Sequence, residues 1–149
     1  MPIYTFDSSV IIAYQIRELP PSFLLSAGVI AELTAGAADD STRKVYEAMR
    51  LIFYKDNALI IPTHDDWLTA SLVLFWLSQG RKKKAGGKTP KLLSGASQRM
   101  FLDALIAVSA RRKGAIVVTN DYDDFKAIQY YCPVKLLRGS EYFGSQAAP

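Results

Sequence analysis

The chain has one cysteine, Cys132, and one histidine, His64, in 149 residues. A lone thiol excludes an internal disulfide and any zinc site built from several cysteines, and it fits a reducing cytosol. Cys132 is therefore expected to fill core. A lone histidine likewise excludes a multi-histidine metal site, and His64, directly after Pro62-Thr63 at a helix start, is expected at the surface or in a cap. No basic region precedes a long apolar run in MPIYTFDSSVIIAY, and Asp7 interrupts that run, so no signal peptide is expected. The most apolar segment, WLTASLVLFWL at 67–77, has about half of the roughly 20 residues a membrane span requires. It predicts a buried helix rather than membrane contact. There is no internal repeat, and the length fits one domain over 1–149 with a core large enough to need no staple.

Acidic residues are missing from 67–102, where seven Lys or Arg stand without an Asp or Glu, although the whole chain carries only +4. Arg81, Lys82, Lys83 and Lys84 are consecutive, and Lys88 follows Gly86-Gly87. The composition predicts an exposed basic Gly/Lys-rich loop at 80–97. Such a segment is either a solvated surface or an arm that contacts nucleic-acid phosphates, where counterion release favours binding. GGKT at 86–89 is no nucleotide phosphate loop, because Lys82 stands where the first glycine of that motif belongs.

The remaining pattern alternates strands and helices. Ile3 to Phe6 is β-prone and stops at Asp7, with Ser8-Ser9 placed to cap a helix from Val10. Phe23-Leu24-Leu25 predicts a short strand and Ser26 the cap of a helix through Leu33. Ser41 is expected to cap a helix over 41–54, Ala58–Ile61 to be a strand, and Thr63 to cap the helix at 65–78. Gln98 to Lys113 predicts a helix closed by Gly114, Ala115 to Thr119 a strand, and Val134 to Leu137 the last strand. The tail is expected to fray at its end. Short continuous apolar strands between longer helices indicate a three-layer α/β/α sandwich with a central, mainly parallel sheet.

In such a sheet the functional crevice lies beyond the carboxyl ends of the strands. Asp7 ends the first strand and Asp121 follows the fourth by two residues, so both belong to that rim. Asp103 shares a helix face with Ala107 and Ala110, opposite Phe101, Leu105 and Val108, and is expected in the first turns of its helix. Glu32 lies early in another helix, in the apolar frame VIAEL. Singly, Asp7 suits a strand-end turn, Glu32 a solvated helix face, and one of Asp121, Asp123 and Asp124 a helix cap. Together the four acids Asp7, Glu32, Asp103 and Asp121 surround one cleft, where mutual repulsion is costly unless a cation intervenes. Carboxylate oxygens without organised histidines or thiolates suit Mg²⁺ or Mn²⁺, and imply metal-assisted attack of water on phosphorus.

The segments FDSSVIIAY, SAGVIAEL and DALIAVSARRKGAIVVTNDYDDF occur in the order and frame of PIN-domain proteins, and the chain resembles the VapC-type toxin ribonucleases of toxin-antitoxin pairs over residues 3–137. The resemblance implies a Mg²⁺- or Mn²⁺-dependent endoribonuclease in which Asp7, Glu32, Asp103 and Asp121 form the acidic quartet. It places Asp7, Asp103 and Asp121 on the metal, with Glu32 acting through water. Asp124 matches a further acid, and Ser8 and Thr119 match small polar positions that orient ligands. It also implies an RNA substrate, a small antitoxin partner, a homodimer and a cytoplasmic setting. The long basic segment before Gln98 departs from compact toxins of this kind. Competing readings are a structure-selective DNA nuclease and a non-catalytic RNA-binding or partner-binding module with the same fold. A receiver-type phosphoacceptor domain also gathers acids at strand ends, but no lysine of the required kind is evident after a late strand.

Overall fold

In a computed structural model of the chain, residues 1–14, 19–84, 86 and 94–146 are described, with side chains described at these positions except 81–84, 94–97, 145 and 146. Strand β1 (Ile3–Phe6) pairs in parallel with β4 (Ala115–Thr119), Ile3 opposite Ala115 and Phe6 opposite Val118. Strand β5 (Leu136–Arg138) lies along the other side of β4, also parallel, and sets Arg138 beside Thr119. Strands β2 (Leu25–Ser26) and β3 (Leu59–Ile60) form a second parallel pair. The Leu24 amide donates to the Tyr4 carbonyl at 2.9 Å and Leu24 bridges Thr5, which joins both pairs in the order β3-β2-β1-β4-β5. Every pairing among the described residues is parallel, as the short β-branched runs implied.

Seven helices connect the strands among the described residues: α1 (Ser8–Tyr14), α2 (Ala27–Ala35), α3 (Asp40–Lys55), α4 (His64–Lys84), α5 (Ser94–Arg112), α6 (Tyr122–Gln129) and α7 (Gly139–Gln146). Side chains alternate across a strand, so Tyr4 and Phe6 share one face of β1, and both pack edge-on against Tyr142 of α7. Thr5 and Asp7 belong to the opposite face, the side of α5. The sheet is thereby covered on both faces, and the layered α/β architecture holds.

Several local expectations are corrected. Asp39, not Ser41, caps α3, its carboxylate accepting from the Thr42 amide at 2.7 Å. The second and last strands lie one to two residues later than expected, and Ser26 makes no side-chain capping bond. Helix α4 continues through Lys84 and α5 begins at Ser94, so both ends of the segment expected as a loop over 80–97 are helical. The first part of the tail forms α7, because Tyr142 and Phe143 dock on Phe6 and the Tyr14 ring stacks on Phe143 at 3.8 Å, and the end expected to fray lies outside the described residues. Helix α5 has no separate apolar face: every residue from Ala104 to Ala110 is buried. It packs against α2, α4, α6 and β4, so it is central rather than amphipathic. Gly114 adopts φ +67°, the left-handed conformation that ends a helix at glycine without strain. Cys132 is buried in the core and His64 is almost fully exposed, both as expected.

Candidate active site

Asp7 is the residue at which β1 stops. Its amide donates to the Val118 carbonyl at 2.9 Å, extending the β1–β4 ladder by one rung, and its own carbonyl accepts from the amides of Val10 and Ile11 in the first turn of α1. The residue is 2% exposed. A carboxylate so placed needs donors, and three are supplied. The Ser8 amide reaches Oδ1 at 2.9 Å, and the hydroxyls of Ser9 and Thr119 reach Oδ2 at 2.9 and 3.0 Å. Burial raises the Asp7 pKa; these three bonds pull it down, and the charge of Asp121 adds to the rise.

Glu32 comes from α2 and accepts from the Ser8 hydroxyl at 2.9 Å. Ser8 was expected to cap α1; instead its side chain ties the first acid's loop to the second acid. Gly28 lies four residues before Glu32 and hence on the same face of α2. A Cβ at Gly28 would stand 3.0 Å from Leu102 Cδ1 and 3.6 Å from Ile106 Cγ1, the residues that flank Asp103 on α5. Absence of a side chain at Gly28 thus lets the Glu32 face of α2 approach the Asp103 segment of α5.

Asp103 lies midway along α5, because that helix starts at Ser94 rather than near Gln98. It is half-buried, and its carboxyl is pushed up to about 8, first by burial and then by the charges of Asp7, Glu32, Asp124 and Asp121. Asp7, Glu32, Asp121 and Asp124 thus all lie near enough for their charges to bear on the Asp103 carboxyl. Asp121 stands at the N-cap position of α6, yet its side chain makes no capping bond. Its amide instead donates to the Thr119 hydroxyl at 2.9 Å. Asp123 and Asp124 occupy the first turn of α6 and are exposed.

The donor chemistry fits a hard divalent cation. All five side chains offer carboxyl oxygens, and the upward push on Asp103 comes from burial together with the like charges around it. Among the described residues no three His, Cys, Asp or Glu side chains stand close enough to form a ready cage for one ion.

Two features of this rim escaped the sequence reading. Ser9 holds Asp7 and also accepts from the Asn120 amide at 3.2 Å, while the Asn120 side chain donates to the Ser9 carbonyl at 3.3 Å. These bonds bind the end of β1 to the end of β4, and only their place within DSS and TND hinted at them. The second feature is Arg138, which lines a cavity of about 230 Å³ with Asn120, Asp121, Tyr122, Asp123 and Asp124.

Gly80, one position before Arg81, lies by Tyr131, a Cβ there being 3.4 Å from the phenolic oxygen. Tyr131 follows α6, whose eight residues span about 12 Å from the end that carries the acids. The side chains of Arg81, Lys82, Lys83 and Lys84, and all of Lys88, lie outside the described residues.

No family model and no curated protein matches the chain. Solved structures do. VapBC-1 from nontypeable Haemophilus influenzae matches with a TM-score of 0.54 and 20% identity, over 93% of this chain and 98% of that one. DNA-bound VapBC from Salmonella typhimurium matches at 0.52 with 16% identity, over 93% and 99%. VapBC2 from Rickettsia felis, bound to a DNA fragment from its promoter, matches at 0.52 with 19% identity, over 91% and 98%. At such identities the likeness is one of fold, extends over nearly the whole of both chains, and agrees with the layered parallel architecture: the chain has the PIN-like fold of these VapBC proteins.

Proposed function

We propose that the chain is a divalent-metal-dependent endoribonuclease, the toxin of a toxin-antitoxin pair. The observation that carries this reading is the Asp103 carboxyl, half-buried and pushed up to about 8, first by burial and then by the charges of four acids, in a fold shared with VapBC proteins. Asp7, Asp103 and Asp121 would hold Mg²⁺ or Mn²⁺, and the ion when bound supplies polarisation of a phosphoryl oxygen and a water acidified for attack on phosphorus.

The chain's own residues set the stage. Ser8, Ser9 and Thr119 fix the Asp7 carboxylate, and the Ser8 hydroxyl orients Glu32 toward the same cleft. Asp124 stands further out on α6 as a second-row acid. A small antitoxin is the partner in this reading, in keeping with the VapBC neighbours, and the reaction is assigned to the cytoplasm. Among the described residues no helix is long and apolar enough to cross a membrane. A homodimer is supported by Leu68, Leu72 and Phe75, exposed at i, i+4 and i+7 on α4.

Purified protein with Mn²⁺ is expected to cut single-stranded RNA, to lose the activity on chelation, and to lose it in Asp7→Asn. Matched RNA and DNA oligonucleotides separate ribonuclease from DNA nuclease. Wild-type protein that binds no divalent ion by calorimetry and cuts neither polymer would favour the non-catalytic module instead.

A further inference from the structure

An acidic cleft repels the polyanion it is to cut, so a nuclease of this kind needs a positive group at the same rim. The side chains of Arg81–Lys84, at the end of α4, lie outside the described residues. Among the described residues, Arg138 stands at that rim. We propose that Arg138, seated over the Tyr122 ring, is the phosphate-positioning residue for the nucleic-acid substrate beside the acids, an inference that rests on the nuclease reading above.

Four observations carry it. The sheet register sets Arg138 at the carboxyl end of β5 directly beside Thr119, the residue whose hydroxyl holds Asp7. Its guanidinium carbon lies over the Tyr122 ring, 4.0 Å from its centre, a cation–π contact that restrains the guanidinium without using its N–H donors. It lines the cavity formed with Asp121, Asp123 and Asp124, yet makes no ion pair with any of the three. Among the described residues its ion pair is with Glu141, at 3.9 Å from Nε, too long for a hydrogen bond. Glu141 is engaged instead by the Arg138 backbone amide at 3.2 Å.

The guanidinium is therefore half-exposed, oriented by a ring, placed one strand from the buried aspartate, and not spent on neutralising the acids around it. That combination suits a bidentate contact to a phosphodiester oxygen pair. Lys126, 6.0 Å from the same ring, adds positive charge without a fixed geometry. Tyr122 is then the platform on which the fork is held, and a positioning residue in its own right.

The test uses full-length protein, Mn²⁺ and a single-stranded RNA oligonucleotide, with KM, kcat and the salt dependence of kcat/KM measured for wild type, Arg138→Gln, Arg138→Lys and Tyr122→Leu. Arg138→Gln is expected to raise KM about tenfold, with kcat within twofold, and to lower the slope of log(kcat/KM) against log[salt] by about 0.7, the value for one phosphate contact on a single strand. Arg138→Lys keeps the slope and raises KM less. Tyr122→Leu keeps the slope and raises KM, since the charge remains but is no longer restrained by the ring. If wild type cuts RNA and Arg138→Gln matches it in KM and slope, the inference falls and the nuclease reading stands. If Arg138→Gln is poorly folded by thermal melting, Tyr122→Leu with unchanged KM overturns it equally. Wild type that neither cuts nor binds RNA removes both.

Discussion

Two parts of the molecule bury an aspartate, and they treat it in opposite ways. At the start of α4, Asp66 is 4% exposed; its carboxylate accepts from the Thr63 amide at 2.9 Å while the Thr63 hydroxyl accepts from the Asp66 amide at 3.1 Å, a reciprocal cap. Arg112, at the end of α5, closes on both of its oxygens at 3.2 and 2.9 Å and reaches the Ile61 carbonyl as well. That charge is fully matched and has no capacity left for a ligand. At the strand ends, Asp7 is matched only by neutral donors, and Asp103 sits among four like charges. The contrast separates an acid that serves the fold from acids that cost the fold something, and only the second kind leaves attraction for a cation.

The largest expected effect tests the unmatched side. Asp103→Asn should reduce RNA cleavage by about 10²- to 10³-fold, the scale for removing one preorganised electrostatic group. The same variant should be the more stable protein at alkaline pH without metal. A carboxyl whose folded pKa is near 8 and whose unfolded value is 3.8 holds a proton that unfolding releases. Stability of metal-free wild type should accordingly fall as pH rises from about 4 to 8, because the unfolded state binds fewer protons over that window. Thermal melts of wild type and Asp103→Asn across pH 4–9 in chelator check this; parallel curves would break the comparison.

On the matched side, Asp66→Ala should cost about 2 kcal/mol in urea unfolding, most of it the lost cap, since Arg112 is a third exposed and regains water. Its cleavage per folded molecule should stay at the wild-type level. A large loss of specific activity there would mean the two regions are not separate.

Much of this contrast was legible beforehand, and the exceptions have a physical pattern. β1 and β4 show as β-branched runs closed by Asp7 and opened after Gly114, and the four acids were found because each sits where a strand ends or an apolar helix is interrupted. What stayed hidden depends on side chains far apart in sequence. The Asp66–Arg112 pair spans 46 residues and the Ser9–Asn120 bonds span 111, and no local periodicity encodes either. Helices α6 and α7 are eight residues each, too short for a periodic signal, and α7 exists because its aromatic pair finds Phe6 and Tyr14.

A smaller effect addresses how the acids are brought together. Gly28→Ala should cost about 1 kcal/mol in urea unfolding, because its Cβ would meet Leu102 Cδ1 at 3.0 Å and that side chain must give way. A fall in cleavage per folded molecule would show that the approach of α2 to α5 also sets Glu32 against Asp103. The smallest concerns Thr5, whose buried hydroxyl has no hydrogen-bond partner although it shares a strand face with Asp7. Thr5→Val should stabilise the protein by about 1 kcal/mol in the same urea assay and leave cleavage unchanged, since no acid uses that hydroxyl.

Thr119 carries a consequence of its own. A hydroxyl has one proton; with the Asp121 amide donating into its oxygen, that proton can go only to Asp7. The hydroxyl therefore gives polarity a fixed direction, from the backbone of the segment before α6, through the last residue of β4, into the carboxylate at the end of β1. Valine would match the shape and break the direction, removing the acceptor of the Asp121 amide and one of the two hydroxyl donors to the buried Asp7 oxygen. Serine would keep it. The identity of this side chain is thus set by which way one proton must point, and the strand that carries it works as a one-way conductor between two acids more than 110 residues apart in the chain.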